Sequence, residues 1–507
     1  MNTQGNHRWL VQIALAIGLL AVGLDLTILN LALPTLAIDL HATNRDLQWF
    51  ADAYTLVFAA ALLPAGLLGD RFGRKKVLIF GLILFGVASL ACAYASTAVE
   101  LIVGRVFLGL GAAFLVPLSM SIIPVLFTED ERPKAIGIWV MSNAIGIPLG
   151  PIVGGWLLNN YSWGSVFFIN VPLILIALFA VFVLLPESQS VVKPRVDFIG
   201  VLSSSLGLVG ITYGVIEVGE KGWDDITAVA TIVIGVLLLV VFVFWEQRTK
   251  HPLVDPFLFR SSSFTWGSIM ATIVSFLMFG LLFVMPQYFQ AVKGADALGA
   301  GLRLLPLVGG LLVGSQISDK LQRRIGGKIT IALGFLLLAL AFMFGANTNI
   351  GNGYGYTSLW ITIVGLGIGF VLPASMDVAM SALTAERSGV GSALIMAMRN
   401  IGGTMGVAIL GTILSSKYRD KLDLNEFPSS VAKSVQRSIT AGTQAASQLN
   451  STQLLKSVHS AFIYGMDVIL YVCGGVATLG IVLTLAFLKL RVSENKKLEF
   501  KQNTSGK

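Results

Sequence analysis

Apolar runs of about 20 residues recur almost from one end of this chain to the other, and a helix of that length crosses the ~30 Å hydrocarbon core of a bilayer. A globular chain of 507 residues would instead divide into domains joined by polar linkers. The charge content points the same way. Only 12% of the residues are charged, about half the ~25% of an ordinary soluble domain. The bilayer is therefore the solvent for most of the chain, and the fold class is all-α integral membrane.

Measured at ~20 residues per crossing, spans are expected near 11–33, 48–68, 77–95, 99–122, 134–157 and 166–185, then 198–216 and 227–246. Six more follow near 265–289, 298–317, 329–346, 357–381, 390–413 and 461–488, for 14 transmembrane helices. The weakest is 298–317, because Arg303 stands near its outer end among several glycines; it is expected to be tilted or to lie against protein. The first run is too long for a signal-peptide core and has no small-residue cleavage site, so it is expected to stay as a span.

The net charge of +8 does not point to nucleic acid, because Lys and Arg sit in short loops between apolar runs rather than in one patch. Basic residues in short loops are retained on the cytoplasmic side. The loop with Arg71, Arg74, Lys75 and Lys76 is the strongest vote. Arg132 and Lys134, Lys193 and Arg195, Arg248 and Lys250, Arg323, Arg324 and Lys328, and the tail with Arg491, Lys496 and Lys497 agree with it. Both termini are expected to be cytoplasmic. The stretch 415–460, rich in Ser, Thr and Gln, is expected outside and in part mobile, since long loops cross largely regardless of charge. The two cysteines, Cys92 and Cys473, fall inside apolar runs and are expected to pack rather than to pair or bind metal.

A charged turn from Gly66 to Lys76 is echoed later by Arg323, Arg324, Gly326, Gly327 and Lys328. Transporters commonly repeat a bundle about an axis along the membrane normal and place the site between the two copies. The chain then reads as six plus two plus six helices: a first bundle over 1–186, a linker with two inserted helices over 187–260, a second bundle over 261–490 that includes the loop 415–460, and a tail over 491–507.

Ionisable side chains within spans are costly and mark transport pathways. Asp25 lies past the middle of the first run, and a buried carboxylate readily exchanges its charge for a proton. Arg105 enters its run from the other side. At ~1.5 Å per residue the two reach similar depths, so Asp25 with Arg105 is the expected coupling pair, against the alternative of a permanent structural ion pair. Asp52, beside Trp49 and Tyr54, reads either as a second protonation site or as an acid reaching the interface within an aromatic belt. Asp377 follows Pro373 by one turn and is expected to recognise substrate or proton, with pairing to Arg399 as the alternative. Asp467 is expected to be peripheral.

The run Gly66-Leu-Leu-Gly-Asp70-Arg71-Phe-Gly73-Arg74-Lys75 resembles the loop signature of the major facilitator superfamily. Leu101, Arg105, Gly109 and Gly111 resemble its fourth-helix motif, and Gly146, Gly150, Pro151, Gly154 and Gly155 its antiporter motif in the fifth helix. Leu24-Asp25-Leu-Thr27-Ile-Leu-Asn30-Leu-Ala32-Leu33-Pro34 is similar to the first helix of the fourteen-helix drug:proton antiporters, the group with the quaternary-ammonium pumps. That resemblance implies proton-driven export of hydrophobic, cationic compounds by a bacterial plasma-membrane protein. It implies no cofactor beyond the proton gradient, lipids and lipophilic small molecules as partners, no nucleic acid, and a working monomer. It also implies that Asp70 latches the two bundles together when the transporter faces outward, and that the glycines of the fifth helix form a close-packed, bendable seam around Pro151. Two departures stand out. Leu108 occupies a place where the fourth-helix motif often has Gln, and Arg323 stands at the place matching Asp70, leaving only the first copy an acidic latch.

Other classes fare poorly. The sequence contains no phosphate-binding loop, no GxSxG and no HExxH, and its four histidines are scattered over loops and ends, so an enzyme is not expected. The same scaffold could instead carry a specific metabolite, lipid or siderophore, since fold does not set substrate.

Overall fold

The computed structural model describes residues 3–42, 44–188, 197–249, 254, 256–384, 388–424, 431–432, 435–436 and 439–488. Helices occupy every expected position, with ends moved by a few residues. The first set comprises α1 (Thr3–Asp39), α2 (Asn44–Phe72), α3 (Arg74–Ala93), α4 (Ala98–Leu126) and α5 (Arg132–Asn160), then one span broken into α6 (Ser165–Phe168) and α7 (Asn170–Leu184). The inserted pair is α8 (Phe198–Lys221) and α9 (Ile226–Arg248). The second set comprises α10 (Ser262–Gln287), α11 (Ala297–Arg303), α12 (Leu305–Ile325), α13 (Gly327–Gly345), α14 (Tyr354–Met380), α15 (Ser388–Lys421), α16 (Ile439–Gln448) and α17 (Thr452–Phe487). Among the described residues, 13 helical segments are long and apolar enough to cross a membrane.

The helices begin where a polar side chain can take up a free backbone N–H. Thr97 accepts from Glu100 N at 3.2 Å, Asp296 from Gly299 N at 2.8 Å and Ser451 from Leu454 N at 3.2 Å. The echoed turns share one geometry. Gly73 alone joins α2 to α3 with φ +105°, and Gly326 alone joins α12 to α13 with φ +83°, a backbone region that favours glycine. In the second copy the acid stands one turn earlier, and Asp319 binds Arg323 at 3.1 Å on the surface.

In the first set α1 runs along α5, α2 along α4, and α3 against α4 and α7. In the second, α12 runs along α14, α13 against α14 and α17, and α10 against α15 and α14. The sets meet along two lines: α15 on α2 and α4, and α5 on α11, α12 and α14. The inserted pair is not peripheral. While α9 presents an apolar face outward, α8 packs against both α2 and α15, and Ser205 Oγ donates to Ala60 O at 2.7 Å. Gly235 of α9 lies so close to α8 that a Cβ there would sit 2.6 Å from Ile211 N.

The span expected at 298–317 is broken in two, and its first piece lies against protein. α11 ends at Arg303 and packs on α5, and α12 starts at Leu305. The Arg303 guanidinium lies over the Phe289 ring at 5.9 Å, at the end of a π-helical turn over Tyr288–Val292. Most of the described residues of the stretch 415–460 are helical. α15 continues to Lys421, α16 buries Ile439 and Ala446, and Tyr418 Oη donates to Val435 O at 3.1 Å. Cys92 and Cys473 are both buried. Arg71 to Lys76, Arg132, Lys134, Arg248, Arg323, Arg324 and Lys328 gather at one end of the bundle, hereafter the basic end. The other orientation votes, Lys193, Arg195, Lys250, Arg491, Lys496 and Lys497, lie outside the described residues.

Candidate functional site

Asp25 and Arg105 meet. Arg105 Nη1 donates to Asp25 Oδ2 at 2.5 Å, with the side chains 2% and 0% exposed. Two further contacts from α2 hold the guanidinium: Nε donates to Phe50 O at 2.7 Å, and the Tyr54 ring lies 4.6 Å from Cζ. Gly109 makes this reach possible, because a Cβ there would sit 3.0 Å from Tyr54 Cα; without one, α4 closes onto α2. Asp25 Oδ1 has no hydrogen-bond partner among the described residues.

The glycines of α5 lie directly on the turn of α1 that carries Asp25. A Cβ at Gly146 would be 2.7 Å from Gly23 backbone atoms, one at Gly154 would be 2.6 Å from Ile28 Cγ1, and one at Gly150 would collide with Thr27 Oγ1. Gly155 is looser, 3.7 Å from Leu31 Cδ2. The seam is thus α1 on α5, with three of the four motif glycines needed for contact. The side chain of Pro151 lies outside the described residues.

At the basic end, Asp70 bridges the two sets. Its Oδ1 accepts from Arg74 Nη2 at 2.7 Å and from Gly389 N at 3.0 Å, while Oδ2 accepts from Val390 N at 2.9 Å. The two amides open α15, where a helix presents unpaired N–H groups and the positive end of its dipole. Gly66 touches the same turn: a Cβ there would be 2.8 Å from Ala393 Cβ. Ser388 Oγ donates to Ser121 O at 3.0 Å and Ser392 Oγ to Pro117 O at 2.8 Å, tying α15 to α4 as well. Gly73 and the backbone of Arg74 and Lys75 anchor the segment after α7: Arg74 N donates to Ser188 O at 2.9 Å, and Lys75 N to Glu187 Oε1 at 3.2 Å. Arg71 is half-buried beside the Phe72 ring at 5.5 Å.

Away from the basic end the sets part around a cavity of about 960 Å³. Trp139, Val116, Met396 and Arg399 line its inner part, Tyr54, Phe58, Phe279 and Phe283 its walls, and Gly222, Thr412, Arg419 and Gln436 its mouth. Trp223 Nε1 donates to Thr412 Oγ1 at 2.9 Å across that mouth. α8 contributes Val215, Ile216 and Val218 to the wall. Tyr54 links cavity and ion pair, with its side chain in the wall and its ring against Arg105.

The sequence matches the profile described as Major Facilitator Superfamily over residues 15–407. This chain belongs to the major facilitator superfamily. It is 32% identical over 504 residues to the tetracenomycin C resistance and export protein of Streptomyces glaucescens, covering 97% of this chain and 94% of that one. It is 31% identical over 482 residues to the methyl viologen resistance protein of Salmonella typhimurium, covering 93% and 97%. Among solved structures it resembles the human organic anion transporter MFSD10, with a TM-score of 0.64, 13% identity, and coverage of 96% and 100%. That likeness shows the fold.

In this facilitator the sequence-expected residues divide. Asp25 with Arg105, and Asp70 with the opposite set, are brought together. Asp52 is half-buried on α2, about 200° around the helix from Phe50 and Tyr54. Asp377 does not line the cavity, and Arg399 has no carboxylate partner among the described residues. Met376, one residue earlier and about 100° around α14, is the residue that faces Arg399, with Sδ 3.7 Å from Nη1. Asp467 is half-buried in α17, with Oδ1 unpartnered among the described residues. Sequence reasoning missed Tyr54, Trp139 and the α8 wall. Tyr54 had a signal: it stands one helical turn after Phe50, so both reach the same neighbour.

Proposed function

We propose that this facilitator is a proton-coupled antiporter that exports hydrophobic drugs by alternating access. It crosses a bacterial plasma membrane fourteen times, with both termini and the basic end in the cytoplasm. The fourteenth span is α5, whose 29 residues make a helix of about 43 Å at 1.5 Å per residue. Six, two and six spans, over 1–186, 187–260 and 261–490, then form two bundles around an inserted pair. One chain suffices, and the proton gradient is the only driving force; one charge crossing 100 mV is worth about 2.3 kcal/mol. In this orientation the cavity faces outward, with Asp70 holding the cytoplasmic end shut.

The observation that carries the reading is the buried Asp25–Arg105 pair, separated from the cavity by the Tyr54 ring. Protonation of Asp25 releases Arg105, and Arg105 can then move only by disturbing a residue of the cavity wall. Proton and drug thus compete through one side chain. The names of the relatives, a tetracenomycin C export protein and a methyl viologen resistance protein, support drug export. The family resemblance implies cationic substrates, and Asp377, the acid expected to recognise substrate or proton, is absent from the cavity lining.

The reading is tested in proteoliposomes by following a fluorescent lipophilic dye with and without an imposed pH gradient. Asp25→Asn is expected to abolish gradient-driven movement while dye binding to the purified protein persists. Gradient-driven transport by Asp25→Asn at the wild-type rate sinks the coupling role, and a wild-type protein that ignores the gradient sinks proton antiport.

A further inference from the structure

Arg399 brings to the cavity a positive charge that no acid answers among the described residues. Arg399 projects from α15, with Nε donating to Ser275 Oγ at 3.2 Å and Nη1 meeting only the thioethers of Met376 and Met396, at 3.7 and 3.5 Å. Its Cζ lies 5.9 Å from the Trp139 ring centre. Among the described residues Nη2 has no hydrogen-bond partner and no Asp or Glu lines the cavity. The contrast with the fully buried arginines is plain: Arg74 holds Asp70 and Arg105 holds Asp25. Sulfur is a weak acceptor, and a guanidinium kept in a low-dielectric wall without a counter-ion is costly unless a ligand supplies one.

The surroundings match such a ligand. Asn400 follows Arg399, Thr404 lies one turn further along α15, and Asn143 lies one turn beyond Trp139 on α5; all three line the cavity. The side-chain amides of Asn143 and Asn400 add neutral donors to the lining, the Thr404 hydroxyl already donates to Asn400 O at 2.8 Å, and the phenyl rings of Phe58, Phe279 and Phe283 face the same space. The site is bipolar, with hydrogen-bond donors and one cation at its inner end and aromatic walls elsewhere.

Resting on the export reading above, we propose that Arg399 is a specificity-determining residue and that the exported compounds are aromatic amphiphiles presenting a carboxylate or phenolate to it. A planar fork of N–H donors suits a carboxylate, which it binds through two parallel bonds. A cation seated in the same place meets an unneutralised charge. At ~6 Å and an effective dielectric constant of ~20, that repulsion is worth on the order of a hundredfold in affinity. Asp377, which would reverse this preference, lies elsewhere.

The test uses fluorescein and rhodamine 123, which share a xanthene frame and carry opposite charge. Binding to the purified protein is read by fluorescence polarisation, and transport in proteoliposomes under a pH gradient. Wild type is expected to bind fluorescein more tightly than rhodamine 123. Arg399→Gln is expected to weaken fluorescein by about tenfold or more and to leave rhodamine 123 unchanged or tighter, while Arg399→Lys retains much of the fluorescein affinity. Thermal unfolding of both variants identifies any loss of fold. Tighter binding of rhodamine 123 by wild type, equal weakening of both dyes by Arg399→Gln in a folded protein, or binding of neither dye overturns the proposal. Arg399-dependent fluorescein binding without gradient-driven transport keeps the charge assignment and overturns the export reading instead.

Discussion

Asp70→Asn is expected to unlatch the basic end. Asp70 belongs to two interactions that behave differently during a conformational change. Its pair with Arg74 lies within one α2–α3 segment, i to i+4, and survives in either state. Its bonds to Gly389 N at 3.0 Å and Val390 N at 2.9 Å cross from one set to the other and exist only while that end is closed. A hydrogen bond to a charged group contributes about 1.5–3 kcal/mol, against about 0.5–1.5 for a neutral one. Asparagine keeps one acceptor oxygen and no charge, so one cross-set bond is lost and the other weakened. The loss of the Arg74 pair is common to both states and largely cancels. What remains is about 3 kcal/mol, roughly a hundredfold in the equilibrium between closed and open at this end. The assay is labelling of a Thr404→Cys variant, whose position lines the cavity, by a membrane-impermeant maleimide applied from the side on which the cavity opens. Cys92 and Cys473 are buried and give little background. Labelling is expected to slow by tenfold or more when Asp70→Asn is added. A rate within about threefold of the parent refutes the reasoning and shifts the closure to the bonds of Ser388 and Ser392 with α4.

The same end offers an independent route: a Cβ at Gly389 would collide with the Asp70 carboxylate, so Gly389→Ala should reproduce the slowed labelling with both charges intact. On the α1–α5 seam, Gly146→Ala places a methyl 2.7 Å from Gly23 backbone atoms that cannot yield, and should cost about 1–3 kcal/mol in thermal unfolding. Gly155→Ala, with 3.7 Å to Leu31, should stay within about 0.5 kcal/mol of wild type; equal effects of the two would mean that close contact is not what the seam requires. Tyr54→Phe keeps the ring beneath Arg105 and removes a hydroxyl that has no partner among the described residues, so transport should be preserved. Tyr54→Ala opens a void and should lose both about 3–5 kcal/mol and coupling.

Much of the architecture is a one-dimensional property, and such properties are legible along a chain. The spans follow from run length against bilayer thickness, and the helix positions agree throughout. The Asp25–Arg105 pair was legible for the same reason: depth in the membrane is a count of residues, and two opposite charges at equal depth in a bundle find each other. Gly73 and Gly326 show the repeat because a single-residue turn with positive φ restricts composition wherever it occurs.

Azimuth and neighbourhood were decided only in the tertiary structure. In a soluble helix, apolar periodicity marks the buried face; in lipid, the buried and the lipid-facing sides are equally apolar, and that contrast disappears. α4 is buried along most of its length and α9 is mostly exposed, yet both are nearly uniform apolar runs. Consequently nothing along the chain distinguished Met376 from Asp377 as the neighbour of Arg399, although a rotation of ~100° about α14 separates them. Nor did it place α8 in the cavity wall between α2 and α15. Length, hydropathy and depth are written residue by residue. Which face turns toward the cavity depends on contacts between helices far apart in sequence, and those contacts determine both where the drug would sit and which charge it would meet there.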